Sequence, residues 1–162
     1  MTETKYEDLK RPLPYAIYKG LGGKQGAFRF SLLPAYAGKR DPEGVVFMEA
    51  AAATGDNKYD WENKIIFALS VKDIGELLAG LGEGKLELLH DPDAQTERRG
   101  TRVKKFSISQ AKVGLFFNLN EKVPAAGEQP AGEKRVSISV RPAEAAILRA
   151  LLLAAIPKVL GW

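Results

Sequence analysis

Tyr59-Asp60-Trp61-Glu62-Asn63-Lys64-Ile65-Ile66-Phe67-Ala68-Leu69-Ser70-Val71-Lys72-Asp73-Ile74-Gly75-Glu76-Leu77-Leu78-Ala79-Gly80-Leu81-Gly82 changes its hydrophobic period part-way along. Up to Leu69 the large apolar side chains alternate: Tyr59, Trp61, Ile65, Phe67 and Leu69 share one parity, as in a strand with one buried face. From Val71 they recur at helical spacing, as Val71, Ile74, Leu77, Leu78 and Leu81. Ser70 stands at the junction with Asp73 three residues on, the signature of a capped helix start. Gly82 is placed to end that helix.

The chain on either side repeats this plan. Towards the N-terminus, Tyr15 to Tyr18, Ala27 to Leu33 and Val45 to Ala52 read as strands, cut by a loop from Gly20 to Gly26 and a polar loop from Pro34 to Gly44. Towards the C-terminus, Lys85 to His90, Thr101 to Ser109, Val113 to Lys122 and Arg135 to Arg141 read as four more strands. Pro142 suits the first turn of a helix, and Ile147, Leu148, Leu151, Leu152 and Ile156 follow at helical spacing until Pro157, which is expected to end it. The order is four strands and a helix, twice. That predicts an α+β fold of two four-stranded antiparallel β-sheets, each followed by a helix. Residues 1–14 read as a flexible lead and 15–162 as one domain.

Composition narrows the chemistry. The 162 residues are 45% hydrophobic and 27% charged, the balance of an ordinary folded domain. There is no cysteine, which excludes disulfides, thiolate nucleophiles, zinc fingers and iron–sulfur ligation. His90 is the single histidine, so two-histidine metal sites are excluded as well. It stands beside Asp91, but no serine or second base is tied to it by a meaningful spacing, and a capped strand end is the favoured reading over a hydrolase. No enzyme activity, metal or cofactor is expected. No stretch approaches the ~20 apolar residues of a membrane span. Met1 to Lys10 resembles neither a secretory signal nor a transit peptide.

The formal net charge of +4 points to an anionic partner. Arg98, Arg99, Arg102, Lys104 and Lys105 fall within eight residues with no acid among them. In a strand, Arg102 and Lys104 share a face with Phe106 and Ile108, with Lys105 opposite. Cations beside a ring on an open sheet suit single-stranded nucleic acid, with charge for phosphates and flat faces for bases. The competing reading is a hairpin solvated by its own charges. Phe116 alternates with Asn118 and Asn120 on the outward parity, where it would stack on a base or pack under a helix. Tyr59, Trp61 and Lys64 mix rings and charge at a strand start, where the rings would stack on bases, but a core position for such a Trp is the favoured reading. The glycine loop lacks the Gly-Lys-Ser/Thr ending and following helix of a phosphate loop, and offers only Lys19 or Lys24 to a backbone phosphate. Arg29 and Asn118 complete the candidate set. Phosphate contact through these cations predicts binding that weakens steeply with salt.

The last helix is apolar nearly all round from Ala145 to Ile156, broken by Arg149. Such a helix must be buried on every side, and at a chain end the outer side calls for a second subunit. Leu148, Leu151, Leu152, Ile156 and Leu160 are the candidates for that contact.

Several segments together resemble the Whirly family of single-stranded DNA-binding proteins. They are Tyr59 to Lys64 running into Phe67 to Gly75, Leu88-Leu89-His90-Asp91-Pro92, Gly114 to Leu119, Val140 to Glu144 and Ile156 to Trp162. The similarity covers about Tyr15 to Trp162. It implies two four-stranded sheets with two helices, and a homotetramer whose sheets radiate outward. It also implies single-stranded DNA bound along the sheets with little sequence preference, for genome protection, repair or transcription. RNA is the alternative ligand, because related folds occur in guide-RNA-binding proteins. The family's Lys-Gly-Lys-Ala-Ala-Leu segment is replaced here by Lys19-Gly20-Leu21-Gly22-Gly23-Lys24, which removes the expectation of assembly beyond the tetramer. The compartment implied is the cytoplasm or nucleoid for a prokaryotic relative and an organelle for a mature plant-type protein.

Overall fold

The computed structural model describes residues 12–36, 38, 42–91, 102–125 and 127–162. Most of the expected 1–14 lead and two cations of the basic run, Arg98 and Arg99, lie outside the described residues.

Alternation of apolar side chains gives nine strands. The first sheet runs β1 (Tyr15–Tyr18), β2 (Gly26–Leu33), β3 (Val45–Gly55), with β5 (Ile65–Leu69) on the far side of β3. A two-residue strand, β4 (Lys58–Tyr59), pairs with the end of β3. The second sheet is a meander of β6 (Leu86–His90), β7 (Val103–Gln110), β8 (Leu115–Val123) and β9 (Gly132–Val140). All pairings are antiparallel. The two-sheet, two-helix plan is therefore the one the periodicities predict. One strand differs: Tyr59 to Leu69 is not continuous, because Trp61–Asn63 forms a 3-10 turn in which the Asp60 side chain accepts the Asn63 N–H.

Helix α1 (Val71–Glu83) starts at the expected capping box, Ser70 with Asp73. It runs past Gly82 to Gly84, the residue that adopts the left-handed cap at φ 73°. Helix α2 (Pro142–Leu160) also runs further than expected, through Pro157. Val159 is fully buried, which anchors the last turn. The Lys158 and Val159 carbonyls accept the N–H groups of Ala35 and Gly44, and the Pro157 carbonyl accepts that of Trp162. These bonds satisfy a helix end that would otherwise lack partners.

The core lies between the inner sheet faces and under the helices. Phe28 of β2 meets Phe106 and Phe117 of the second sheet at ring distances of 6.3 and 5.9 Å. Each sheet also engages one edge strand of the other through a side chain. Gln25, before β2, accepts the Ser139 N–H of edge strand β9 at 2.9 Å. Lys104 of β7 donates to the Ile66 carbonyl of edge strand β5 at 2.6 Å. An edge with engaged polar groups is a poor template for further strands. No helix among the described residues is long and apolar enough to cross a membrane.

Candidate nucleic-acid interface

The outward face of the first sheet carries a row of rings. Tyr18 and Tyr59 have ring centroids 5.4 Å apart, and Tyr59 and Trp61 6.3 Å. The glycine loop makes room for this row: Gly20 donates its N–H to the Tyr59 hydroxyl at 2.9 Å, and a β-carbon at Gly20 would fall 2.6 Å from that oxygen. The 3-10 turn sets Trp61 beside Arg29, whose guanidinium carbon lies 4.2 Å from the indole centroid, a cation–π contact. Glu49, on the facing position of β3, accepts from Arg29 at 3.2 Å and is paired with Lys64.

The outward face of the second sheet is built differently. Ser107 and Ser109 of β7, Phe116, Asn118 and Asn120 of β8, and Arg135, Ser137 and Ser139 of β9 share one parity by register. Phe116 is 44% exposed, and its cross-strand neighbours Ser109 and Ser139 are too small to cover it. It therefore packs under no helix. Asn118 accepts from the Ser137 hydroxyl at 2.7 Å. The loop of residues 19–25 joins the two surfaces, since Gly20 holds Tyr59 and Gln25 holds Ser139 beside Phe116. Lys24 is exposed in that loop.

The structure separates the basic run. Arg102 and Lys104 do share a face with Phe106 and Ile108, but that face is the core: Phe106 is fully buried and Ile108 3% exposed. Both cations sit where the inner face runs out, around Glu121, which is itself 3% exposed and also within reach of Lys134. The open-sheet reading thus fails for Lys104, whose amine is committed to Glu121 and the Ile66 carbonyl. Arg102 keeps an exposed side chain beside the same carboxylate. Lys105 does face outward, paired with Glu87 at 3.3 Å. Lys19 is half-buried in an ion pair with Glu144 at 2.7 Å, which removes it as a ready phosphate ligand. The buried acids Glu49 and Glu121 carried no periodic signal. Tyr18 is not among the candidates, although its place next to inward Ile17 in β1 is a signal that sets it outward.

The His90 ring is engaged within the fold. Its ring stacks on Phe67 at 3.8 Å, and its Nε2 lies 3.0 Å from Asp73 of the α1 capping box. This ties the end of β6 to the first sheet and to α1. No group of acids and histidine that could hold a metal occurs among the described residues.

On α2 the five candidates for subunit contact divide. Leu148 and Leu152 are buried in the chain's own core, which corrects their assignment to a subunit contact; Ile156 is half-buried. Leu151 and Leu160 are 46% and 43% exposed, joined by Ile147 and Leu153.

Residues 24–151 match the profile of the Whirly transcription factor family. This chain belongs to the Whirly family. Among its relatives is the chloroplastic single-stranded DNA-binding protein WHY1 of Solanum tuberosum, 33% identical over 153 residues, which are 91% of this chain and 54% of that protein. The mitochondrial single-stranded DNA-binding protein WHY2 of Arabidopsis thaliana is 26% identical over 159 residues, 92% of this chain and 63% of its own. The Whirly chain thus spans about half to two thirds of these relatives. The solved structure of the plant transcriptional regulator PBF-2 superposes with a TM-score of 0.74 at 29% identity, covering 93% of this chain and 83% of that one. Arabidopsis thaliana WHY1 gives 0.74 at 26% identity, covering 93% and 92%. The relatives are named as DNA-binding proteins, not as enzymes.

Proposed function

We propose that this Whirly protein binds single-stranded DNA with little sequence preference, as an assembly of identical chains and without catalysis. The ring row Tyr18, Tyr59 and Trp61 on a sheet exterior, with Arg29 beside it, carries the reading. Rings accept any base, which is why such binding ignores sequence. Phe116, flanked by small polar neighbours, is a second stacking point. Lys24, Lys105 and Asn118 supply charge and hydrogen bonds around these rings; Lys64, like Lys19, is held by a carboxylate. The relatives' names speak for DNA and give no support to RNA.

A labelled oligonucleotide of ~30 nucleotides, followed by fluorescence anisotropy, tests this. Tyr59→Ala and Phe116→Ala each weaken binding by roughly 1–3 kcal/mol, for all base compositions alike. Matched RNA competes less well than DNA. Unchanged affinity in both variants, or preference for RNA, overturns the reading.

The outward apolar side of α2 supports self-association, with the family resemblance pointing to four copies. Light scattering of the purified chain, with and without oligonucleotide, reads this; a lone monomer in both conditions overturns it.

A further inference from the structure

We infer that Glu49 is a positioning residue of this interface: it holds the Arg29 guanidinium against the Trp61 ring, so that cation and indole are presented together to the polynucleotide. The inference rests on the first sheet's outward face being a binding surface.

Glu49 stands on β3, facing Arg29 of β2 on one side and Ile66 of β5 on the other. A carboxylate in the middle of a face meant for phosphates opposes binding by its charge alone. Its own surroundings explain its presence. One oxygen accepts from both Nε and Nη2 of Arg29, each at 3.2 Å, and the other oxygen is paired with Lys64. The side chain is only 12% exposed beneath these cations. This side-on grip fixes the guanidinium plane while leaving Nη1 outside the pair. The guanidinium carbon lies 4.2 Å from the Trp61 ring centroid, in cation–π contact with it. A base arriving there meets a guanidinium plane, which stacks bases as an aromatic ring does and adds charge for the neighbouring phosphate. Lysine has no such plane and cannot replace Arg29 in this role.

Glu49→Gln raises the formal net charge of +4 by one. Charge alone then predicts tighter binding, whereas loss of positioning predicts weaker binding, so the two have opposite signs. The ~30-nucleotide anisotropy assay is run on Glu49→Gln, Arg29→Lys, Arg29→Ala, Trp61→Ala and the Glu49→Gln/Arg29→Ala double variant, with thermal unfolding alongside. Glu49→Gln and Arg29→Lys are each expected to bind about three- to fivefold more weakly, and the double variant no more weakly than Arg29→Ala. In a Trp162→Phe background, which leaves Trp61 as the only indole, Glu49→Gln shifts the emission of the free protein to the red as the guanidinium leaves the ring. Glu49→Gln binding as well as the parent or better, or its loss adding in full to that of Arg29→Ala, overturns the inference. Should Glu49→Gln not fold, Arg29→Lys decides: parental affinity there overturns the inference equally. If Arg29→Ala and Trp61→Ala both leave affinity unchanged, the face is not a binding surface and the underlying reading falls too.

Discussion

Gly26 and Gly75 give the same substitution opposite signs. A β-carbon at Gly26 would lie 2.4 Å from the Ala51 carbonyl oxygen and 2.7 Å from Val136, where the two sheets touch. Gly26→Ala is expected to destabilise the protein by about 1–3 kcal/mol, since backbone cannot step aside. Gly75 on α1 has nothing within 4 Å of its would-be β-carbon. Gly75→Ala should stabilise by roughly 0.5–1 kcal/mol, because alanine loses less backbone entropy in a helix. Urea unfolding reads both. Tyr15 offers a test by pH: burial, and secondarily the Glu144 carboxylate, push its phenol above the ordinary tyrosine range. The folded state then holds a proton that the unfolded state releases, so stability falls as pH rises through that range. Tyr15→Phe should flatten this alkaline fall. Both glycines are plain in the sequence, but only the packing shows which has room.

Helix α2 shows the limit at the scale of an element. Its apolar run made burial on every side a sound expectation, yet a run without a polar face cannot say which stripe turns inward. Packing against the first sheet and α1 selects Leu148, Leu152, Ala155 and Val159 for the core and leaves Ile147, Leu151 and Leu153 outside. Leu151→Glu is therefore expected to leave a folded chain of smaller assembled mass by light scattering. Leu148→Glu places a carboxylate in the core and should abolish folding, seen as loss of the cooperative thermal transition. The helix boundaries moved for a similar reason. Tertiary partners at Ala35 and Gly44 sustain a turn beyond Pro157 that local propensity would have ended.

For the whole molecule, electrostatics is quieter than its lysine and arginine content implies. Lys19, Arg29, Lys64, Arg102, Lys104, Lys105, Lys134 and Arg135 all have carboxylate partners. A cation already paired displaces fewer counterions from DNA than a free one, and each phosphate neutralised contributes about −0.7 to the salt slope of a single strand. Pairing of Arg102, Lys104 and Lys105 lowers the share of the salt dependence that these three cations of the basic run would contribute. The slope of log affinity against log salt should fall well short of the number of these cations, with base stacking carrying more of the affinity. Anisotropy titrations across a salt series measure it, and a slope that matches the full set of cations would contradict the pairing.

Alternation, helical spacing, the Ser70 cap and the absence of cysteine determined the two-sheet, two-helix plan and the class of chemistry, because those signals are local in the chain. Tertiary structure alone decided which cations are spent on Glu49, Glu121 and Glu144, and that Arg29 lies against Trp61. It also decided which leucines of α2 stay outside. Each depends on residues 13 to 125 positions apart meeting across strands and helices, and no period or spacing encodes such a meeting.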